Sequence, residues 1–145
     1  MTTALDPLAV LVGEWRLETS LASPGTVPAR SVFEWGPGRG FLVQRTEVDH
    51  PDAPDSLCVI AAEGERYTQH YFDSRGVVRL YAMTFDGNAW TLLREAPDFS
   101  PLHFAQRFTA HLEDGGSTIR GRWETREPGE GGWDPDFELT YRRLR

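Results

Sequence analysis

The stretch VVRLYAMTFDGNAWTLLRE, residues 77–95, decides the fold. Two runs rich in β-branched and aromatic residues flank Asp86-Gly87-Asn88. A Gly-centred turn between two such runs is the strongest short-range signal for a β-hairpin. The same pattern continues in both directions. Upstream stand FLVQRTEV (41–48), LCVIAA (57–62) and RYTQHYF (66–72); downstream stand HFAQRFTAHL (103–112), STIRGRWE (117–124) and DFELTYRRL (136–144). In all, the chain reads as ten strands, over 13–20, 30–35, 40–49, 56–62, 66–72, 77–85, 89–95, 103–113, 118–127 and 136–144. Gly/Pro/Asp turns close them, among them Gly36–Arg39, Asp73–Gly76 and the DGGS of 114–117. Such a hairpin series has to hide its edge strands, and closure into a barrel does so. The expected fold is all-β: a ten-stranded antiparallel up-and-down barrel wide enough to leave an interior cavity. Longer loops are read at ASPGTVPA (22–29), HPDAPD (50–55) and APDFSP (96–101).

Before the first strand, residues 4–11 read as one or two helical turns, with Asp6 as N-cap and Pro7 at the first helical position. A short apolar helix there would plug one barrel mouth. With 145 residues and no linker or repeat, one domain over 1–145 is expected. Five Trp and eight Phe suit pleated, half-buried surfaces.

Charge narrows the partners. A net charge of −7 argues against nucleic acid, which needs clustered cations. All fifteen basic residues are Arg, a trace of genome composition rather than of mechanism. Cys58 is the sole cysteine; no internal disulfide can form, and its apolar run marks it as a buried small hydrophobe. The start MTTALDPLAV lacks a basic region and a long apolar segment, and no stretch is long enough to span a bilayer as a helix. The expectation is a cytoplasmic protein with no membrane partner.

Alternation assigns the faces. Ile119, Gly121, Trp123 and Thr125 fall on one face of the ninth strand, opposite Arg120, Arg122, Glu124 and Arg126. The apolar set points inward. The matching inward sets are Phe104, Gln106, Phe108 and Ala110 on the eighth strand, Phe137, Leu139 and Tyr141 on the tenth, and Trp90, Leu92 and Arg94 on the seventh. Strands five and six carry large residues on both faces. Tyr67, Gln69 and Tyr71, with Arg79, Tyr81 and Met83, are preferred inside. On the third strand either Gln44 or Arg45 faces the lumen.

The resulting interior is aromatic with a few polar groups, which is what small-ligand recognition uses. The ligand-binding set is Tyr71, Arg79, Tyr81, Trp90, Arg94, Gln106, Phe108, Trp123, Phe137 and Tyr141. Arg79-x-Tyr81 puts a guanidinium and a phenol side by side. The competing account has these groups pair with Glu47, Glu95 or backbone carbonyls, since a buried charge needs compensation. There is no nucleophile elbow, HExxH, P-loop or dinucleotide fingerprint. Gly36-Pro-Gly-Arg-Gly joins two strands and lacks a helix to cradle phosphate. Asp49, His50, Asp52 and Asp55 cluster only in a loop, so no metal site is expected.

Leu11-Val12-Gly13-Glu14-Trp15, directly after the short helix, resembles the opening of lipocalin-like barrels of the calycin superfamily. More closely, LDPLAVLVGEWRLE at the front and FELTYRRL at the end resemble the nitrobindin family. The likeness implies a Gly that permits close packing and a Trp that plugs the closed end. It also implies ferric haem held by a His on the closing strand, just before Thr-Tyr. Here those slots hold Phe137, Glu138 and Leu139, and the nitrobindin Gly-x-Gly-x-Tyr-Pro element is replaced by LETSLASPG. No cofactor is therefore expected. Arg79-x-Tyr81 is similar in spacing to the Arg and Tyr with which fatty-acid-binding barrels, also calycins, hold a carboxylate.

The expected function is binding of a small, mostly apolar, carboxylate-bearing ligand inside the barrel. Alternatives are an isomerase or cyclase acting on a natural-product intermediate through Tyr71, Arg94 and Tyr141, a haem-binding nitrobindin relative, and a filled barrel that dimerises through outward Phe72 or Trp35.

Overall fold

A computed structural model describes residues 4–20, 29–49 and 53–145. Ten antiparallel strands follow one another around a closed barrel: β1 (Gly13–Thr19), β2 (Ala29–Trp35), β3 (Leu42–Val48), β4 (Ser56–Glu63), β5 (Arg66–Asp73), β6 (Val78–Phe85), β7 (Ala89–Arg94), β8 (Ala105–Glu113), β9 (Thr118–Arg126) and β10 (Asp134–Arg143). The last strand returns to the first, with Trp15 opposite Arg143 and Leu17 opposite Tyr141. No edge is left open. Among the described residues no helix is long and apolar enough to cross a membrane. The loop expected over 22–29 lies, but for Ala29, outside the described residues, as do His50 and Asp52.

The turn that signalled the fold forms as its residues require. The Asp86 carboxylate accepts the amides of Asn88 (2.9 Å) and Ala89 (2.7 Å), and Gly87 takes φ 94°. Gly121 on β9 has a different reason: a Cβ there would meet the Phe108 ring at 2.6 Å. Trp123 is the β9 residue opposite Phe108, and the Phe108 ring leans diagonally over Gly121, which leaves it room by having no side chain.

The N-terminal plug forms as a 3-10 helix, Asp6–Leu11, with i→i+3 bonds such as Leu8 N–H to Leu5 C=O at 3.0 Å. Leu5, not the expected Asp6, takes the N-cap position, and Pro7 stands second rather than first. Leu8 and Leu11 are fully buried, and the Trp15 indole donates to the Leu11 carbonyl at 2.9 Å. Gly13 has φ 140°, and a Cβ on it would collide with the Arg145 carbonyl, which receives the Glu14 amide at 2.7 Å. The Gly-x-Trp element thus lets the two chain ends close over each other.

Arg143 completes the closure. Its guanidinium lies 4.1 Å above the Trp15 ring and donates to the carbonyls of Val10, Val12 (2.9 Å) and Gly116.

Below mid-height the barrel is filled, not hollow. Trp15, Phe33, Leu42, Ile60, Met83, Trp90, Leu92, Phe108 and Ile119 are at most 2% exposed and pack onto Leu8 and Leu11. The expectation of an interior cavity is corrected for this half: aromatic rings fill it, Trp90 meeting Phe108 at 5.1 Å and Phe33 at 6.0 Å between centroids. Trp35, expected outside, lies on the inward parity with Ser31 and Phe33 and packs against the core, with Arg39 over its ring at 4.4 Å.

Candidate ligand-binding site in the upper lumen

Above the apolar fill, β2 to β6, β8 and β10 contribute a belt of polar side chains: Ser31, Gln44, Cys58, Gln69, Tyr81, Gln106 and Tyr141. They reach the interior because each occupies the inward parity of its strand. Gln44 pairs in register with Cys58, and Gln69 with Tyr81. The Gln44 amide donates to Ser31 Oγ (3.0 Å) and Tyr141 Oη (3.1 Å). Gln69 donates to Cys58 Sγ at 3.5 Å. Burial pushes the Cys58 thiol up to about 12, so it stays protonated. Arg45 faces outward and pairs with Glu34 at 3.3 Å.

Gln106 is the meeting point. Its Oε1 accepts the Tyr81 hydroxyl at 2.9 Å and an Arg79 N–H at 3.4 Å. Tyr81 is 3% exposed; burial pushes its phenol up, and the Arg79 charge opposes that shift. Arg79 itself is half-buried and forms no ion pair among the described residues. Neither Glu47 nor Glu95 meets it, and Glu95 is taken by Arg126 at 2.5 Å.

The remaining candidates separate by height. Trp123 and Phe137 are half-buried in the upper lumen, with ring centroids 6.5 Å apart, and Trp123 lies 5.6 Å from Tyr81. Tyr71, also half-buried, donates to Asp73 Oδ2 at 2.8 Å. Burial, and then the Asp73 carboxylate, push its phenol up. Burial works against the Asp73 charge, yet hydrogen bonds from Arg75, Tyr71 and backbone amides outweigh it and hold the carboxyl at about 2. Trp90 and Phe108, each 1% exposed and edge-to-face at 5.1 Å, belong to the filled half. Tyr141 stands between the two halves, with burial pushing its phenol up.

Arg94 is engaged elsewhere. It holds Asp98 through two hydrogen bonds, at 2.8 and 2.9 Å, with both side chains under 10% exposed. The Arg94 guanidinium keeps the Asp98 carboxyl far below the usual carboxylate range. Asp98 also accepts the Leu80 amide at 2.7 Å, and Ser100 Oγ donates to the Val78 carbonyl at 2.9 Å. β7 stops at Arg94 and pairs β6 only from Ala82 onward, so the following loop replaces the missing ladder beside Tyr81. Asp98 was not legible as a partner from the strand pattern. Its signal was local: Asp98 and Ser100 form an Asx turn, the Ser100 amide meeting Asp98 Oδ1 at 3.0 Å.

The described histidines all lie off the lumen. His70 packs outside against Phe99, with centroids 6.1 Å apart, and His103 and His111 are exposed. With Phe137, Glu138 and Leu139 on the closing strand, the described lumen residues offer no imidazole to a haem iron.

The sequence matches no family model and no curated protein. Among solved structures, the fold is similar to that of Rv2717c from M. tuberculosis, with a TM-score of 0.66 and 14% identity, covering 100% of this chain and 99% of that one. At that identity the likeness is one of fold: a closed antiparallel barrel of the same extent.

Proposed function

We propose that the upper lumen binds a small, largely apolar ligand bearing a carboxylate. The observation that carries this is convergence: Arg79 and Tyr81 direct donors at one oxygen, Gln106 Oε1, while Arg79 has no counter-charge among the described residues. A ligand carboxylate is a better acceptor than an amide for both donors, because charge-assisted bonds are the stronger ones. Trp123 and Phe137 supply apolar walls at the same height. Each Å² of apolar surface they remove from water is worth roughly 25 cal/mol. Burial pushes the phenols of Tyr71, Tyr81 and Tyr141 up, so at neutral pH they are hydrogen-bond donors to a ligand and not bases.

The opening LVGEW and closing FELTY strands, together with the fold likeness, support kinship with nitrobindin-type barrels. The absence of a lumen-facing histidine among the described residues supports a branch that takes an organic acid instead of haem. Titration calorimetry with octanoate and decanoate tests the reading. Binding to the wild type and a ten- to hundredfold loss in Arg79→Gln are expected. Failure of every carboxylate to bind would overturn it, and a Soret band with haem would restore the haem alternative.

A further inference from the structure

Gln69 is the one amide of the belt left short of a partner. It is 4% exposed, its Nε2 donates to Cys58 Sγ at 3.5 Å, and its Oε1 is buried with no hydrogen bond. Turning the amide over would put Oε1 on the Cys58 S–H and leave Nε2 without a partner, so one polar atom is short in either orientation. The neighbouring amides do not share this: Gln44 Nε2 reaches two oxygens, and Gln106 Oε1 receives two donors. Unpartnered buried carbonyls are rare in native interiors, and each calls for a water, ion or ligand that completes it.

Its position relative to the carboxylate anchor is set by register. Tyr71 faces Arg79, and Gln69 faces Tyr81, one inward position deeper. Two residues along a strand span about 7 Å. That is close to the reach of one aromatic ring between a carboxylate and a para substituent. Trp123 closes this stretch from across the barrel, its ring edge-to-face with Tyr81 at 5.6 Å.

We propose that the lumen is built for an aromatic acid that carries a hydrogen-bond donor about 7 Å from its carboxylate, with Gln69 Oε1 receiving that donor. This rests on the reading of Arg79 and Tyr81 as the carboxylate anchor. Gln106, which now holds both donors, gives way to the carboxylate, and the half-buried Trp123 ring, edge-to-face with Tyr81 at 5.6 Å, swings aside so that the ligand ring can descend past Tyr81. A saturated fatty acid satisfies the upper anchor alone and sets a methylene against the Gln69 carbonyl.

Calorimetry on the full chain with 4-hydroxyphenylacetate, phenylacetate and octanoate tests this, in the wild type and in Gln69→Met. The hydroxylated acid is expected to bind wild type at least about tenfold more tightly than phenylacetate, the usual cost of a buried acceptor left unmet. In Gln69→Met the two are expected within about twofold, with a Tm equal to or above wild type, because an unpartnered carbonyl has been removed. Equal affinities in wild type, or a preference that survives Gln69→Met, would overturn the second anchor. If phenylacetate and octanoate bind but the hydroxyl adds nothing, that anchor alone fails; if no acid binds, the Arg79 reading falls and takes it along. Should Gln69→Met not fold, the wild-type comparison decides by itself.

Discussion

Arg94 and Asp98 show what one residue costs when its partner goes. Their ion pair is buried and made of two hydrogen bonds, and Asp98 also serves the Leu80 amide. Removing one member leaves an uncompensated charge, which is the expensive case. Asp98→Asn is expected to cost on the order of 3 kcal/mol in urea unfolding. The pH dependence follows from the direction of the shift. Asp98 is held below its unfolded value by Arg94, and Asp73 is held at about 2. Both therefore add stability that is fully present above the unfolded pKa, about 3.9, and lost as pH falls through the folded values. Wild-type Tm is expected to drop from pH 5 to pH 3 more steeply than that of Asp98→Asn. A parallel decline would show that Asp98 is not the coupled group. Arg79, by contrast, donates to the Gln106 amide and forms no ion pair among the described residues. Inward Arg and Tyr were readable from alternation. Which arginine was neutralised was not, because Asp98 reaches its partner through a turn rather than through strand register.

At the scale of elements, the packing of β8 on β9 turns on a missing side chain. Phe108 occupies the volume that a side chain at Gly121 would take. Gly121→Ala is expected to destabilise by about 1–3 kcal/mol through overpacking. Adding Phe108→Leu should reduce the increment, a coupling that a double-mutant cycle reads directly. The plug acts the opposite way, by filling. Leu8 and Leu11 are wholly buried against the barrel core. Leu8→Ala is expected to cost about 2–5 kcal/mol, with the spread depending on how far the cavity collapses. Guanidinium unfolding measures it, and a cost under 1 kcal/mol would mean the helix only rests on the barrel mouth. The hairpins and the helical segment were legible as elements. The helix is 3-10, with Leu5 rather than Asp6 at the N-cap position and no side-chain hydrogen bond capping it.

For the whole molecule, closure depends on the chain ends. β1 and β10 meet in register, and Arg143, stacked on the Trp15 ring, ties three carbonyls from the plug and the β8–β9 turn. A planar fork serves several acceptors at once, which an ammonium on a flexible stem does not. Arg143→Lys is expected to lose about 1–3 kcal/mol, nearly as much as Arg143→Met. Full retention of Tm in Arg143→Lys would show that charge alone suffices.

Two things were settled by sequence: the number of strands and the inward faces of the seventh to tenth. Both follow from local chemistry, since turn residues and period-two alternation act over a few neighbours. The tertiary structure alone decided how much of the tube is filled and which polar groups keep a free valence. Trp90 and Phe108 share the inward parity with Arg94 and Gln106, yet the first two are core and the last lies in the upper lumen. Depth along the barrel axis depends on strand tilt, on the plug, and on side chains that meet from distant strands. Alternation within one strand carries no term for any of these.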